Sequence, residues 1–128
     1  VIELGCGLGL PSLVAAHFAE TVLATDCSHK VLEQLRRPRQ SDTLVSSVLS
    51  TKQLDFITAS GVSSAGLGRW DVVLFADCVY SVEGGASLPR TLVALLKRDG
   101  VAIGALPLHG RPGLQQFWAS SQSAGSCT

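Results

Sequence analysis

The chain contains no methionine and one tyrosine among its 128 residues, and Phe, Trp and Tyr together make up only 5%. Charge is also sparse: 16% of residues are Asp, Glu, Lys or Arg, ten acids against ten bases, for a net charge of zero. No global field of one sign exists to attract nucleic acid or an anionic membrane, so neither is expected as a partner. No apolar run approaches the roughly 20 residues of a membrane-spanning helix. None of the four cysteines (Cys6, Cys27, Cys78 and Cys127) forms a C-x-x-C pair, and no histidine lies at zinc-finger spacing. No metal site is therefore expected, and the thiols are read as those of a reducing compartment. With no initiator, and with Val1-Ile2-Glu3-Leu4 already inside a strand-like run, the chain is expected to be a fragment with polypeptide missing upstream.

What is present is apolar surface. Hydrophobic residues make up 46% of the chain and the mean hydropathy is +0.34, enough to offset chain entropy and form one folded domain. Strand and helix signals alternate. Residues 1–4 read as a buried strand, Gly5-Cys6-Gly7-Leu8-Gly9 as a glycine turn, and Leu10–Ala19 as a helix whose apolar face carries Leu10, Leu13, Val14 and Phe18. His17 falls on that stripe and reads as a packed core histidine. Residues 21–25 read as a second strand ending at Asp26. Ser28 can cap a helix bearing Val31, Leu32 and Leu35, which Pro38 stops. Leu44–Leu49 reads as a weaker strand, and Ile57–Arg69 as loop with one helical turn. Asp71–Ala76 is a continuous apolar run suited to a strand covered on both faces. Leu88, Leu92, Leu95 and Leu96 mark a helix, with Lys97 and Arg98 near its end; Val101–Leu106 reads as the last strand. Leu114, Phe117 and Trp118 mark a final short helix. Trp70 and Trp118 read as packing residues. This alternation predicts an α/β fold, a doubly wound and mostly parallel sheet. The domain is expected over 1–118, with 119–128 as a frayed tail.

In such sheets ligands bind beyond the carboxyl ends of the strands. Three segments there carry chemistry. The glycine turn lets a backbone bend sharply and lets a ligand approach without a Cβ in the way. It is G-x-G-x-G, because Leu10 stands where a dinucleotide motif needs glycine, so nicotinamide-cofactor binding is a poor match. The turn is either a ligand cradle or a structural connection. Asp26, at the end of the second strand, can accept hydrogen bonds from both hydroxyls of a ribose, or serve as a helix cap. Asp77-Cys78-Val79-Tyr80 places an acid and a phenol three residues apart at a strand end. They can converge on one cationic group, or form a plain surface turn.

Taken together, VIELGCGLGLPSLVAA, LATD, QLDF and DVVLFADCVY resemble the S-adenosylmethionine-dependent seven-β-strand methyltransferases, and within them the family-16, methyltransferase-like protein-lysine methyltransferases. The resemblance runs from Val1 to about Phe117. It implies a Rossmann-like fold, S-adenosyl-L-methionine as cofactor and a protein substrate with a target lysine. It implies that Glu3, Gly5 and Gly7 line the methionine part of the cofactor and that Asp26 holds the ribose. Asp55 would meet the adenine amine, with Phe56 packing beside it where the family has Trp, and Ala76 would sit at the cofactor edge. Asp77 and Tyr80 would face the substrate as the catalytic pair. The chain departs from the family in lacking the upstream segment, in Pro38 where Asn is usual, and in having no recognisable final β-hairpin. The resemblance further implies a cytoplasmic protein, also nuclear, acting as a monomer. Two other readings stand beside it: a small-molecule methyltransferase on the same fold, and a truncated or degenerate domain without activity of its own.

Overall fold

The structure, a computed structural model, describes residues 1–36 and 43–124. Ile2–Leu4 forms strand β1, and all three of its side chains are buried. A run with no alternation of polar and apolar residues suits a strand covered on both faces. β1 is the central strand of a five-stranded sheet, between β2 (Val22–Asp26) and β4 (Trp70–Ala76). β3 (Leu49–Gln53) lies outside β2, and β5 (Leu96–Ala105) outside β4, giving the order β3-β2-β1-β4-β5. Every pairing is parallel, with Ile2 opposite Leu23 on one side and Val73 on the other.

The register sorts the side chains between two cores. Ile2, Leu4, Val73 and Phe75 point to the face covered by α4 (Ala59–Ala65), α5 (Val82–Leu95) and α6 (Leu114–Ala124). Leu88 and Leu95 of α5 and Phe117 of α6 close that core, the two leucines with no exposed surface. On the other face α1 (Leu10–Ala15), α2 (His29–Arg36) and α3 (Thr43–Val48) cover Val22, Ala24 and Leu49. Each fully buried leucine removes enough apolar area to stabilise the fold by about 1.5–3 kcal/mol. The connection after β1 runs toward β2 and the connection after β4 toward β5, in opposite directions. The crevice between β1 and β4 is therefore the place where an open α/β sheet takes a ligand.

The doubly wound parallel sheet is as the sequence predicts, but four elements differ. First, the segment read as a strand over Leu44–Leu49 is helix α3 followed by β3. Its serines do not interrupt a ladder; Ser46 and Ser47 donate their hydroxyls to the carbonyls of Thr43 and Leu44, three residues back within the helix. Second, the loop expected over Ile57–Arg69 contains α4. Thr58 caps it by accepting from the Gly61 N–H at 3.1 Å, and Val62 and Ala65 anchor it in the core. Third, β5 starts at Leu96, so Lys97 and Arg98 belong to a strand rather than a helix end. Fourth, α1 ends at Ala15 rather than Ala19 and turns most of the expected apolar stripe outward: Leu10 and Val14 are 70% and 52% exposed and Phe18, beyond the helix, 86%, whereas Leu13 is partly buried and Ser12 and Ala16 are buried. His17 is exposed with them, not packed. The cause is Glu3, whose buried carboxylate accepts from both the backbone and the hydroxyl of Ser12 and so decides which side of α1 faces the sheet.

Of the two tryptophans read as packing residues, Trp70 packs against the core, whereas Trp118 is 58% exposed. Trp70 is half-buried and donates its indole N–H to the Ala65 carbonyl at 2.9 Å, and Trp118 meets Phe117 edge to face. α6 runs to Ala124, past residue 119 where the sequence reading starts a frayed tail. Pro38 and Cys127 lie outside the described residues. No helix among the described residues is long and apolar enough to cross a membrane.

Candidate functional site

The carboxyl ends of β1, β2, β3 and β4 surround a cavity of about 340 Å³, within the range of small-molecule sites, roughly 300–1,000 Å³. The glycine turn forms its floor. Gly5, Gly7 and Gly9 have φ of +61°, +52° and +76°, the left-handed region that glycine occupies without strain. They serve different ends. A Cβ on Gly5 would come within 2.8 Å of the Cys78 Cβ, so Gly5 lets the end of β1 approach the end of β4. A Cβ on Gly7 would meet nothing within 4 Å, and the space above it belongs to the cavity.

Asp26 is fixed beside that turn. Its Oδ2 accepts from the Gly7 N–H at 3.0 Å and its Oδ1 from the Ser28 N–H at 2.9 Å. Each carboxylate oxygen has two lone-pair sites, so capacity for two more donors remains. The Asp26 carbonyl accepts from the Leu54 N–H at 3.0 Å, which draws the segment after β3 against the same cavity. There Asp55 accepts from the Ile57 N–H through Oδ1 at 3.0 Å. Phe56 is half-buried and lines the wall with Val31, Leu54 and Ile57; its carbonyl accepts from the Thr91 hydroxyl at 2.8 Å. The result is a largely apolar slot lined by two carboxylates, those of Asp26 and Asp55.

The opposite wall comes from the β4 end. Cys78 and Tyr80 reach the cavity with Ser81 and Gly84. Burial pushes the Cys78 thiol up to about 12, so it is an inert wall atom rather than a nucleophile. Cys27 also lines the cavity and is exposed; burial first, then the Asp26 and Asp55 charges, raise its thiol above the ordinary value. Asp77 adopts φ +44°, the one positive φ outside glycine among the described residues. Such a conformation at an acid is a strain that surrounding contacts must hold. Its N–H donates to the Ala105 carbonyl at 2.8 Å, and its carboxylate is gripped by Arg111, Nε to Oδ1 at 2.9 Å and Nη2 to Oδ2 at 2.5 Å. The same guanidinium lies over the Tyr80 ring, 4.8 Å from its centre. Arg111 holds the Asp77 carboxyl below the usual carboxylate range.

Of the residues expected at the site, Gly5, Gly7, Asp26, Asp55, Phe56 and Tyr80 all line one cavity. Asp77 borders it through its neighbours, and Ala76 stands exposed at the end of β4 without reaching the wall. The structure does not bring Glu3 there. Its side chain is turned under α1 onto Ser12 and is 1% exposed, and burial raises its carboxyl above the ordinary range. Arg111 is the residue that sequence reading missed. The available signal was a cation just beyond the last strand of the sheet, at the same carboxyl edge as the acid that ends β4.

The sequence pattern of the lysine methyltransferase family matches residues 1–110. The chain belongs to the lysine methyltransferase family. Over 99 residues it is 30% identical to the calmodulin-lysine N-methyltransferase of Arabidopsis thaliana, covering 76% of this chain and 33% of that relative. Over 110 residues it is 33% identical to the protein N-lysine methyltransferase METTL21A of Danio rerio, covering 80% of this chain and 47% of that one. The chain thus spans about a third to a half of the length of the curated relatives it matches. Its fold is that of a TehB-like SAM-dependent methyltransferase from Corynebacterium glutamicum, with a TM-score of 0.74 at 14% identity, covering 96% of this chain and 62% of that one. The cofactor of this family and fold is S-adenosylmethionine. The residues present fit it: Asp26 has lone pairs for a ribose diol, Asp55 can accept from an adenine amine, the slot between them is apolar, and Gly7 leaves open space.

Proposed function

We propose that this chain is the cofactor-binding and substrate-facing core of an S-adenosylmethionine-dependent methyltransferase that modifies a lysine side chain of a protein. The observation that carries the reading is the adjacency of two sets of groups. The diol and amine acceptors Asp26 and Asp55 share a cavity with Tyr80, and Asp77 stands next to its wall. The names of the curated relatives support lysine as the target.

S-adenosylmethionine supplies, when bound, an electrophilic methyl group on a sulfonium; the protein supplies alignment and electrostatics. In this reading Asp26 and Asp55 hold the nucleoside, and Gly5 and Gly7 pass close beside its amino-acid part. Asp77 and Tyr80 receive the amine. A lysine ammonium, with an ordinary pKa near 10.4, must lose its proton before its nitrogen can attack. A bare carboxylate would attract the ammonium but favour its charged form, so the proton leaves to water as the ammonium is buried, and the neutral amine takes the methyl with the thioether as leaving group. Tyr80 presents a ring face that holds a cation and a hydroxyl that can orient an amine. The thiols of Cys27 and Cys78, free of disulfides among the described residues, support a reducing, cytoplasmic or nuclear setting. The zero net charge supports a protein rather than a nucleic acid as partner. We take the protein to act as a monomer.

The test is transfer of labelled methyl from S-adenosylmethionine to purified protein substrates, with acid hydrolysis to identify the modified residue. Label recovered as methyl-lysine, and lost in Asp77→Ala without loss of cofactor affinity, is the expected result. Label recovered only on small molecules would overturn the lysine assignment.

A further inference from the structure

Three observations converge on Arg111. It lies in the connection between β5 and α6, it grips both carboxylate oxygens of Asp77, and it stacks on Tyr80. A guanidinium and a lysine ammonium make the same demands on such a pair: a carboxylate for charge and a ring face for the cation. Both of those demands are met here from within the chain. The resident side chain is also able to leave. Arg111 is about one-third exposed and Asp77 about half exposed, so water and salt can take over their charges. The strained φ of Asp77 is held from the backbone side by the Ala105 carbonyl, independently of Arg111.

We propose that Arg111 is a resident cation that occupies, against Asp77 and Tyr80, the place of the substrate amine, and that the amine enters by displacing it. This rests on the reading of Asp77 and Tyr80 as the substrate end. Displacement makes the site selective. A side chain that cannot replace both the salt bridge and the ring contact leaves Arg111 in position, so neutral side chains are rejected. A lysine replaces both.

The probe is n-butylammonium, which carries the lysine side-chain chemistry without a peptide. It is titrated into the chain saturated with S-adenosylhomocysteine, following the Arg111 Nε–H resonance by NMR and the affinity by calorimetry. The variants are Arg111→Gln, Arg111→Lys and Arg111→Gln/Asp77→Asn, each first shown to bind S-adenosylhomocysteine as the parent does. The expected result is loss of the protected Arg111 Nε–H signal as amine is added. Arg111→Gln should bind amine about threefold tighter, as an exposed ion pair is worth, with Arg111→Lys between it and the parent. Equal amine affinity in parent and Arg111→Gln, still dependent on Asp77, would overturn the displacement and leave the substrate end standing. Amine binding indifferent to Asp77, or absent from every variant, would overturn the substrate end itself and the displacement with it.

Discussion

Ser12 donates both its backbone N–H and its hydroxyl to the carboxylate of Glu3, joining the central strand to the first helix inside the core. This contact decides the orientation of α1 and accounts for the buried acid of the sequence motif. Burial raises the Glu3 carboxyl, so its charged form is held in the fold at a cost. The sign follows from proton linkage. A carboxyl whose folded pKa lies above its unfolded value binds more protons in the fold, so its contribution improves as pH falls from neutral toward the unfolded value near 4.3. Glu3→Gln keeps an acceptor for both Ser12 donors and removes the charge. Urea unfolding should therefore find Glu3→Gln at least as stable as the parent at pH 7, with the difference shrinking toward pH 4.5. Ser12→Ala should lose about 1–3 kcal/mol, because a buried acceptor loses a partner. A large loss in Glu3→Gln at neutral pH would show that the charge itself is needed.

The inverted face of α1 gives a paired stability prediction. Leu88 has no exposed surface and Phe18 is 86% exposed. Leu88→Ala should cost about 2–5 kcal/mol by leaving a cavity between α5 and the sheet. Phe18→Ser should change stability by no more than about 0.5 kcal/mol. If Phe18→Ser cost as much as Leu88→Ala, Phe18 would be packed and the turn after α1 would lie against the core.

Two cysteines line the cavity with opposite accessibility. Cys27 is exposed and Cys78 is buried with its thiol pushed up to about 12. Iodoacetamide at pH 8 should label Cys27 and spare Cys78, as read by peptide mass spectrometry. Saturating S-adenosylhomocysteine should slow the labelling of Cys27. Labelling unaffected by the ligand would place the ligand elsewhere.

How much of this was legible beforehand depends on whether the deciding interaction was local. The IEL and DVVLFA runs announce buried parallel strands through composition alone, and both are strands in the sheet. The glycine turn, Asp26 and the Asp55-Phe56 segment fall at strand ends, and the parallel topology carries them to one cavity without further information. What failed was set by long-range partners. The stripe of Leu10, Leu13, Val14 and Phe18 has helical periodicity, but only Leu13 of it packs on the core, and a buried carboxylate nine residues upstream of Ser12 outweighs the rest. The α3–β3 boundary was hidden because Thr and Val favour strands by propensity, whereas the serines between them bond back within a helix through their hydroxyls. Arg111 is 34 residues from Asp77. Only the pairing of β4 with β5 reveals that the two segments after those strands lie side by side.

The most direct measurement is calorimetric titration of the chain with S-adenosylhomocysteine, beside Asp26→Ala. Asp26 is the acid that the glycine turn fixes and that faces the cavity. A charge-assisted hydrogen bond is worth about 1.5–3 kcal/mol, so one-to-one binding weakened roughly tenfold or more in the variant is the predicted result. A folded chain that gives no heat, or binds equally well without Asp26, would contradict the assignment of this cavity to the cofactor.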